Sequence, residues 1–512
     1  MPARQSVWSR LMTGLRAFRE AFLSADVQDP DDWTDFDGRQ TRYDLLWSLY
    51  ENTAYRSIHS WATAYKSTFG LYKYARNLYN PAYRLGEFWK THIWGGALDL
   101  DAGRAGVLPI VAHYDPVRKA IAQIWRWSNW PIKKDVCTLW GAVLGDVAIK
   151  VIDDTDRRKT YLELVHPATL ADVQIDPFGH VKAYTIQEQR QHPNNPTQEV
   201  TYTETAERGA GEETIFRTYL NSQPYPWNGT AAEWVEPYGF IPLVLIQHNN
   251  VGLDWGWSEL HPALAKIREV DDLASLLTDY VRLNVRAPWL FTGADKSRNA
   301  IQVAGRESTD DLPEPGREEM LILYAKDPQT KAQALIADLD IAGTLAHIEA
   351  LLRELERDYP ELRFDNLRLT GTVSGRTLQV ARQPVETKVL QRRAAYDDAL
   401  VRAQNMAVAI AGYRGQIPGF NLSSYAAGQL DHSIGSRPVF DVAQTDRDEE
   451  EAAFWTNAGL AQEAGLPLEI YLRRHGWHDH TIQAIKRARV GAGLLPARPP
   501  DDGENPNQKE TD

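Results

Sequence analysis

The spacing of apolar residues changes twice along the chain, and these changes constrain the fold more than any single motif does. Between residues 41 and 130, apolar side chains such as Leu45 and Leu49 recur every three or four positions, which is typical of helices. From 131 to about 250, β-branched and aromatic residues alternate with polar ones in short runs separated by turn residues. Beyond 256 the helical spacing returns. This order predicts an α+β protein with an antiparallel β-rich region between helical regions.

The helical pattern after the β-rich region is divided by a charged excursion. Ser258 can cap a helix that extends over 258–287. The next segment, 291–338, is rich in Pro, Gly and charged residues. A second helix is predicted over 341–359, because Pro360 cannot continue it.

A polar loop, 361–374, precedes the longest helical pattern of the sequence, 375–411. Pro384 lies inside this pattern. Proline removes one helical hydrogen bond and clashes with the preceding turn, at a cost of roughly 3 kcal/mol, so a kink or a break is expected there. Further helices are predicted over 446–464, 467–474 and 478–489, followed by a polar, Pro-rich tail that is expected to be disordered.

Composition excludes several classes of protein. A chain of 512 residues is too long for one core and predicts two to four domains. The net charge of −13 argues against a dedicated reader of duplex DNA with a basic face. The single cysteine, Cys137, excludes an internal disulfide framework and fits a reducing compartment. No apolar run approaches the roughly 20 residues that span a bilayer, so no membrane segment is expected.

The content of aromatic residues is unusual, with 17 tryptophans and 22 tyrosines. Many of the tryptophans precede Pro131, namely Trp47, Trp61, Trp89, Trp94, Trp125, Trp127 and Trp130. They predict a large apolar packing area. A carbohydrate-binding platform is the alternative interpretation.

Two short motifs resemble those of protein kinases. The stretch GDVAIKVIDD contains VAIK, whose lysine is Lys150, and Asp176–Gly179 read DPFG, one residue away from DFG. The Gly-rich loop before VAIK and the HRD-type catalytic loop of kinases are missing from the sequence. VAIKVID therefore predicts a half-buried strand, and DPFG predicts a hairpin turn with proline at its second position.

No other motif indicates an active site. The sequence contains no P-loop, no nucleophile elbow and no Ser-His-Asp constellation. His475, His478 and His480 are interpreted as surface histidines, because no cysteine or paired glutamate motif accompanies them. Cys137 is expected to be a buried small apolar residue among strand residues and not a nucleophile.

The order of the segments resembles that of portal proteins, the head-to-tail connectors of tailed bacteriophages, over roughly residues 40–490. LWGAVLGDVAIKVIDD and LELVHPATLADVQIDPFGHVKAYTI are similar to the portal wing, in which a strand after Gly-Asp is followed by turns. GWSELHPALAKIREVDDLASLLTDYVRLNVRAPWLFTG resembles the first stem helix. NLRLTGTVSGRTLQVARQPVETKV resembles the tunnel loop and the start of the kinked helix.

The resemblance implies a multi-domain α+β portal fold that assembles as a ring. Its parts would be an N-terminal arm (1–40), a wing (41–255, helical over 41–130 and β-rich over 131–255), a first stem helix (256–290), a small α/β clip (291–338), a second stem helix (339–360), a tunnel loop (361–374), a long kinked helix (375–411), an α-helical crown (412–490) and a disordered tail (491–512).

The resemblance also implies a function and a set of partners. The ring, most often of twelve copies, would occupy one vertex of the capsid and conduct double-stranded DNA during packaging and exit. A separate terminase would supply the ATPase, which agrees with the missing P-loop. Other expected partners are the major capsid and scaffolding proteins and the head-completion and tail adaptors. The protein would be located in the virion after assembly in the host cytoplasm, with no enzymatic activity, metal or cofactor.

Two segments carry the candidate site residues. In the tunnel loop, Gly371 and Gly375 permit unusual backbone angles and are candidate hinges. The candidate phosphate contacts of this loop are Arg363, Asn366, Arg368, Thr370 and Thr372. Such contacts carry no sequence information, so packaging would be indifferent to sequence. The candidate terminase-facing residues of the clip are Lys296, Arg298, Arg306 and Arg317.

Alternatives remain for both segments and for the function. The loop could be a connector that touches nothing, and the clip could be a solvated loop of mixed charge. The net charge supports the hypothesis of a mainly acidic lumen, because a strongly basic lumen would bind each phosphate and stall translocation. The protein could instead be another virion structural or adaptor protein, or a Trp-lined carbohydrate-active enzyme with two carboxylates across a cleft.

Overall fold

A computed structural model describes residues 36–53, 79–100, 107–209, 211, 213–227, 231–285, 289–292, 302–303, 321–322, 331–334, 340–362, 375–440, 444–475, 477, 482–483 and 485. The chain divides into two compact units, Met1–Val439 and Phe440–Asp512. Helices and antiparallel sheets are both present, so the predicted α+β class is confirmed. Among the helices of these residues, none combines the length and the apolar character required to cross a bilayer.

The helices of the first unit are α1 (Phe36–Tyr50), α2 (Pro81–His92), α3 (Asp115–Ser128), α4 (Trp130–Leu144), α5 (Leu264–Val285), α6 (Ile341–Asp358), α7 (Gly375–Tyr413) and α8 (Leu422–Ala426). The strands are β1 (Ile110–Ala112), β2 (Asp146–Asp154), β3 (Lys159–Val165), β4 (Leu170–Ile175), β5 (Val181–His192), β6 (Asn195–Arg208), β7 (Thr214–Leu220), β8 (Gln223–Pro224), β9 (Glu233–Glu236), β10 (Leu243–Gln247), β11 (Trp289–Thr292), β12 (Gln302–Val303), β13 (Leu321–Ile322), β14 (Lys331–Ala334) and β15 (His432–Ile434).

The β-rich region begins at Asp146 and not at residue 131, because residues 130–144 form helix α4. Pro131 is accommodated in the first turn of this helix, where a missing N–H is harmless. The apolar run VCTLWGAVL that follows has no clear period, and such runs do not distinguish a buried helix from a strand. Cys137 therefore lies on a helix and not among strand residues, and its thiol is fully buried as expected.

The strands form two main antiparallel sheets. Strand β2, which contains VAIKVID, is central in the order β10-β2-β3, and the other sheet has the order β4-β5-β6-β7-β8 with β9 also paired to β7. As predicted, DPFG forms the turn between β4 and β5. The Asp176 carboxylate accepts the amide hydrogens of Phe178 and His180, each at 2.8 Å, and Gly179 adopts a φ of +83°.

Helices α5 and α6, the two helices predicted around the excursion, pack antiparallel. Val270, Ala274 and Ile348 form their shared core, and Lys266 near the start of α5 pairs with Asp358 at the end of α6. Beyond the helices, β11 and β14 pair with each other, so the excursion begins and ends as a two-stranded ribbon.

The long helix α7 continues through Pro384, so the helix break that was expected there does not occur. The carbonyl group that loses its helical partner belongs to Val380, four residues earlier. Both residues are exposed, so water can satisfy that carbonyl at low cost. The second half of α7 is core, and Ala403, Ala407 and Ile410 are completely buried.

Two remote parts of the first unit are joined near the end of α7. Strand β1 pairs antiparallel with β15, so Ile110 lies opposite Ile434. The Arg437 guanidinium donates to the carbonyl of Ile93, 344 residues away along the chain, and makes a bidentate ion pair with Asp397 at 2.9 and 3.0 Å. The first unit is therefore closed by contacts between its early and its last residues.

Gly145 ends α4 at a point where two backbone segments nearly touch. It adopts a φ of +102°, and a Cβ atom there would lie 2.7 Å from both the Gly256 oxygen and the Ser258 nitrogen. We expect Gly145→Ala to lower the free energy of unfolding by about 2–3 kcal/mol, from backbone strain and this contact together. Gly252→Ala is the matched control. Gly252 has a φ of +83°, and a Cβ atom added there would have no atom within 4 Å apart from those of its chain neighbours. The control should lose about 1 kcal/mol in urea unfolding. Equal losses would contradict the role of the close contact.

The second unit contains α9 (Gln444–Glu463) and α10 (Leu468–Arg474), which confirms the helices predicted over 446–464 and 467–474. An aromatic cluster joins them and includes Phe454, whose ring stacks on that of Trp477 at 5.9 Å. His475 belongs to this cluster, with its ring 4.3 Å from that of Tyr471. His478 and His480 lie outside the described residues. No group of three possible metal ligands occurs among the residues that were placed.

Candidate functional site

The hinge candidate Gly371 lies outside the described residues. So do the candidate DNA-contacting residues, namely Arg363, Asn366, Arg368, Thr370 and Thr372. The same holds for the clip candidates Lys296, Arg298, Arg306 and Arg317. Gly375 is described as the first residue of α7. The structure describes residues 361 and 362 at the start of the predicted tunnel loop, and a cluster of charges joins Glu361 to Lys388 of α7.

We call this cluster the polar junction, and it consists of His248, Glu259, Glu361, Lys388 and Arg392. The Lys388 ammonium is its centre: it binds the carboxylates of Glu259 and Glu361, the latter at 2.7 Å. The Arg392 guanidinium, one turn further along α7, lies 3.3 Å from the Glu259 carboxylate and donates to Asn249 at 2.8 Å.

The junction joins three parts of the chain. Glu361 lies two residues before the undescribed segment 363–374, and Lys388 lies on α7 after it. Glu259 lies just before α5. The Tyr359 hydroxyl, at the end of α6, donates to the Glu259 carbonyl at 2.7 Å. The start of the predicted tunnel loop is therefore held between the base of the α5–α6 pair and Lys388 of α7.

His248, at the end of β10, completes the junction. Its Nε2 lies 3.0 Å from the Glu259 carboxylate and its Nδ1 lies 2.9 Å from the Tyr396 hydroxyl. Burial lowers the pKa of His248 below its usual value, although the Glu259 carboxylate opposes this. A neutral ring can donate from Nε2 to Glu259 and accept at Nδ1 from Tyr396, so both ring nitrogens are satisfied.

The two carboxylates of the junction differ in their pKa shifts. Burial raises the pKa of Glu259, but the hydrogen bond from His248 and the charges of Lys388 and Arg392 outweigh it, so the net pKa is below the usual value. For Glu361, burial prevails over Lys388 and the pKa is raised. The Oε2 atom of Glu361 has no hydrogen-bond partner among the described residues. Of the two carboxylates, Glu361 therefore has the less complete set of hydrogen bonds.

The imidazole and the carboxylates of the junction are closed to solvent, whereas the Lys388 and Arg392 side chains are 21% and 15% exposed. The His248 side chain is 0% exposed and that of Glu259 is 5% exposed. A His–Glu pair could serve as a general base in a cleft, but here no substrate atom could reach it. The arrangement is suited to holding helices and loop ends together and not to catalysis.

Lys150 of the VAIK motif has a structural role. Its ammonium pairs with Glu204 of β6, and the hydroxyls of Tyr184 and Tyr202 also donate to this carboxylate. Burial alone would raise the pKa of Glu204, but Lys150 and the two hydroxyls lower it below the usual value. Lys150 thus links the sheet of β2 to the six-stranded sheet, which agrees with the strand interpretation of VAIK.

Four of the six described tryptophans that precede Pro131 are buried inside the first unit, whereas Trp47 and Trp127 are half-buried. Trp89, Trp94 and Trp130 are at most 1% exposed, and Trp125 is 4% exposed. An exposed aromatic platform for carbohydrate would require accessible ring faces. These four rings supply apolar packing area instead, as the sequence predicted for them.

A shallow groove of about 570 Å³ lies away from the junction. Its walls include Asp176, Lys182, Glu207, Arg208, Phe240 and Tyr425. The described lining combines charges of both signs with apolar rings. This lining favours no single class of ligand.

Sequence reasoning missed the polar junction. Lys388 and Arg392 are four residues apart on a helix, a spacing that is typical of a solvated face. Their partner Glu259 comes 129 residues before Lys388 and 133 before Arg392. Only the tertiary structure shows that the Lys388 and Arg392 side chains face the interior.

Comparisons with known proteins do not assign a family. No protein-family model matches the sequence, and no curated protein matches it. Function is therefore inferred from the order of the elements and from the geometry around the predicted loop.

Proposed function

We propose that the chain is the subunit of a portal-type ring through which double-stranded DNA enters and leaves a phage capsid. One observation carries the proposal. The antiparallel pair α5–α6 extends into the β11–β14 ribbon on one side and leads, through residues 363–374, into the 39-residue helix α7 on the other. In a ring, such a pair would be the stem, the ribbon would begin the clip, and the loop would face the channel.

The polar junction fits this role. A loop that meets moving DNA must transfer force to the rest of the subunit without losing its anchor points. Lys388 holds Glu361 before the loop and Glu259 at the base of the stem, in surroundings where ion pairs are poorly screened. The terminase, the capsid and scaffolding proteins and the tail adaptors would be the partners, the location would be the virion vertex, and no catalysis is proposed.

Electron microscopy of the purified full-length chain tests the assembly. Negative staining should show rings with a central hole wide enough for a double helix. Solid particles would instead favour another virion structural protein, and small monomers that no partner or scaffold converts into rings would contradict the proposal.

The loop has its own test in a reconstituted packaging reaction. Deleting residues 365–373 should leave ring assembly intact and reduce the DNA packaged per head at least tenfold, because four of the five candidate channel contacts are lost. A second variant, in which nine Gly and Ser residues replace 365–373, keeps the length and removes the side chains. Normal packaging by both variants would mean that the loop is a connector that does not touch DNA.

A further inference from the structure

In the first part of α7, the exposed side chains are uncharged and the charged side chains are buried or half-buried. From 380 to 395, all the described exposed side chains are uncharged, namely Val380, Gln383, Pro384, Thr387, Leu390, Gln391, Ala394 and Ala395. All the charged side chains of the same stretch are buried or half-buried, namely Arg382, Glu386, Lys388, Arg392 and Arg393. We call the first set the uncharged face.

This arrangement is the reverse of an ordinary surface helix, which buries its apolar residues and exposes its charges. The second half of helix α6 in the same unit follows the ordinary pattern, with exposed side chains of Glu349, Arg353 and Arg357. On α7, by contrast, Val380 is 64% exposed and Leu390 is 55% exposed. A face of this composition is typical of a surface that another protein covers.

The size of the uncharged face limits the kind of contact it can make. Sixteen helical residues extend about 24 Å, and a strip about 10 Å wide covers a few hundred Å². Contiguous patches of this size mark interaction sites on monomers. A stable pair of proteins requires roughly 800 Å² from each partner. The face can therefore be one part of a larger interface, as occurs between neighbours in a ring.

We propose that the uncharged face of α7 packs against a second copy of the chain and forms part of the contact between neighbouring subunits. This inference rests on the proposed ring. The chain also exposes a second, largely apolar surface at the start of α6, which includes Ile341, at 39% exposure, and Leu345, at 42%. Uncharged surfaces complement each other, since neither must desolvate a charge. Two different surfaces on one chain allow head-to-tail contacts, which close into rings.

DNA is a poorer occupant of this face. Affinity for DNA depends on Lys and Arg that neutralise phosphates. Lys388 and Arg392 point into the polar junction, and Arg393 donates to the carbonyls of His92 and Arg437. Thr387 and the two glutamines could donate single hydrogen bonds, but Val380, Pro384 and Leu390 between them could not.

Cysteine labelling tests the inference in the full-length chain. Cys137 is 0% exposed, and burial raises the pKa of its thiol, so an added exposed cysteine would be the reactive one. In Leu390→Cys, we expect a maleimide to react at least tenfold more slowly in rings than in dissociated subunits. Arg157→Cys, at a side chain that is 75% exposed in the β2–β3 turn, is the control and should react at the same rate in both.

Each outcome separates this inference from the proposed function. Rings of Leu390→Cys in which the introduced thiol reacts as fast as in free subunits would overturn the inference and leave the ring intact. Slow reaction in both states would mean that a segment of the same chain covers the face, which also overturns it. If no rings form, the proposed function and the inference both fail.

A substitution gives a second readout. Leu390→Asp places a charge on the face and should weaken ring assembly at least tenfold in sedimentation, while Leu390→Met should assemble normally. The unfolding transition of dissociated Leu390→Asp should be unchanged, because the side chain is exposed in the single chain. Normal assembly of Leu390→Asp would contradict the proposed contact.

Discussion

Replacing Glu259 with alanine is expected to lower the free energy of unfolding by about 3–5 kcal/mol, because it removes one partner from a buried charge cluster. Lys388 would retain only Glu361, which is itself incompletely satisfied, and Arg392 would lose its carboxylate at 3.3 Å. His248 would lose the acceptor of its Nε2 hydrogen. The loss is expected to be large because the His248 and Glu259 side chains are at most 5% exposed, so water has little access to the groups left behind.

Urea unfolding of full-length variants, followed by circular dichroism, measures this loss. Glu349→Ala is the matched control, since the Glu349–Arg353 pair on α6 has side chains that are 67% and 68% exposed and should contribute less than about 1 kcal/mol. Glu259→Gln should fall between the two, because the amide keeps one acceptor and loses the charge. A transition of Glu259→Ala that coincides with that of Glu349→Ala would show that the junction does not stabilise the fold.

The second large effect concerns the pH dependence of stability at Asp146, the first residue of β2. This side chain is completely buried; its carboxylate accepts the Gly256 amide at 2.8 Å and the Tyr43 hydroxyl at 3.2 Å. Burial raises the pKa of Asp146 to about 7, although these two hydrogen bonds and the nearby charges of Arg39 and Arg42 lower it in part. Between pH 4 and pH 7, the folded protein therefore holds a proton that the unfolded chain releases.

Stability must fall as the pH rises through this window, because the folded state binds more protons than the unfolded state. At about 1.36 kcal/mol per pKa unit, a rise of about three units corresponds to at most about 4 kcal/mol. Asp146→Asn cannot titrate and should lack this decline. We expect the stability of the wild-type protein, relative to Asp146→Asn, to decrease from pH 4 to pH 7 in urea unfolding. Glu349→Gln serves as the control and should follow the wild-type curve. A constant difference between wild type and Asp146→Asn would refute the shift.

Local periodicity predicted the elements that depend on local physics. The strand with VAIKVID, the DPFG turn and the helices around the excursion follow from alternation, turn residues and apolar stripes. Helix α4 was misassigned because a continuous apolar run contains no period. Pro384 did not break α7, since its exposed position lets water replace the lost hydrogen bond.

The candidate site was less predictable, because it depends on residues that are distant in sequence. Nothing in the neighbourhood of Glu259 indicates that Lys388 and Arg392 will meet it in the interior. Likewise, the inward orientation of charges on α7 is invisible in a helical pattern that has both charged and apolar residues on every turn. The roles predicted for Arg363, Arg368 and the clip residues stay predictions.

The pairing of β1 with β15 has a consequence for synthesis in the cell. Strand β1 leaves the ribosome roughly 320 residues before its partner, and translation at about 5–20 residues per second takes between about 16 and 64 seconds to cover this interval. During that time the edge of β1 and the Ile93 carbonyl lack their native partners. The nascent chain therefore has a long period of vulnerability to aggregation, and slower initiation or added chaperone should raise the soluble yield.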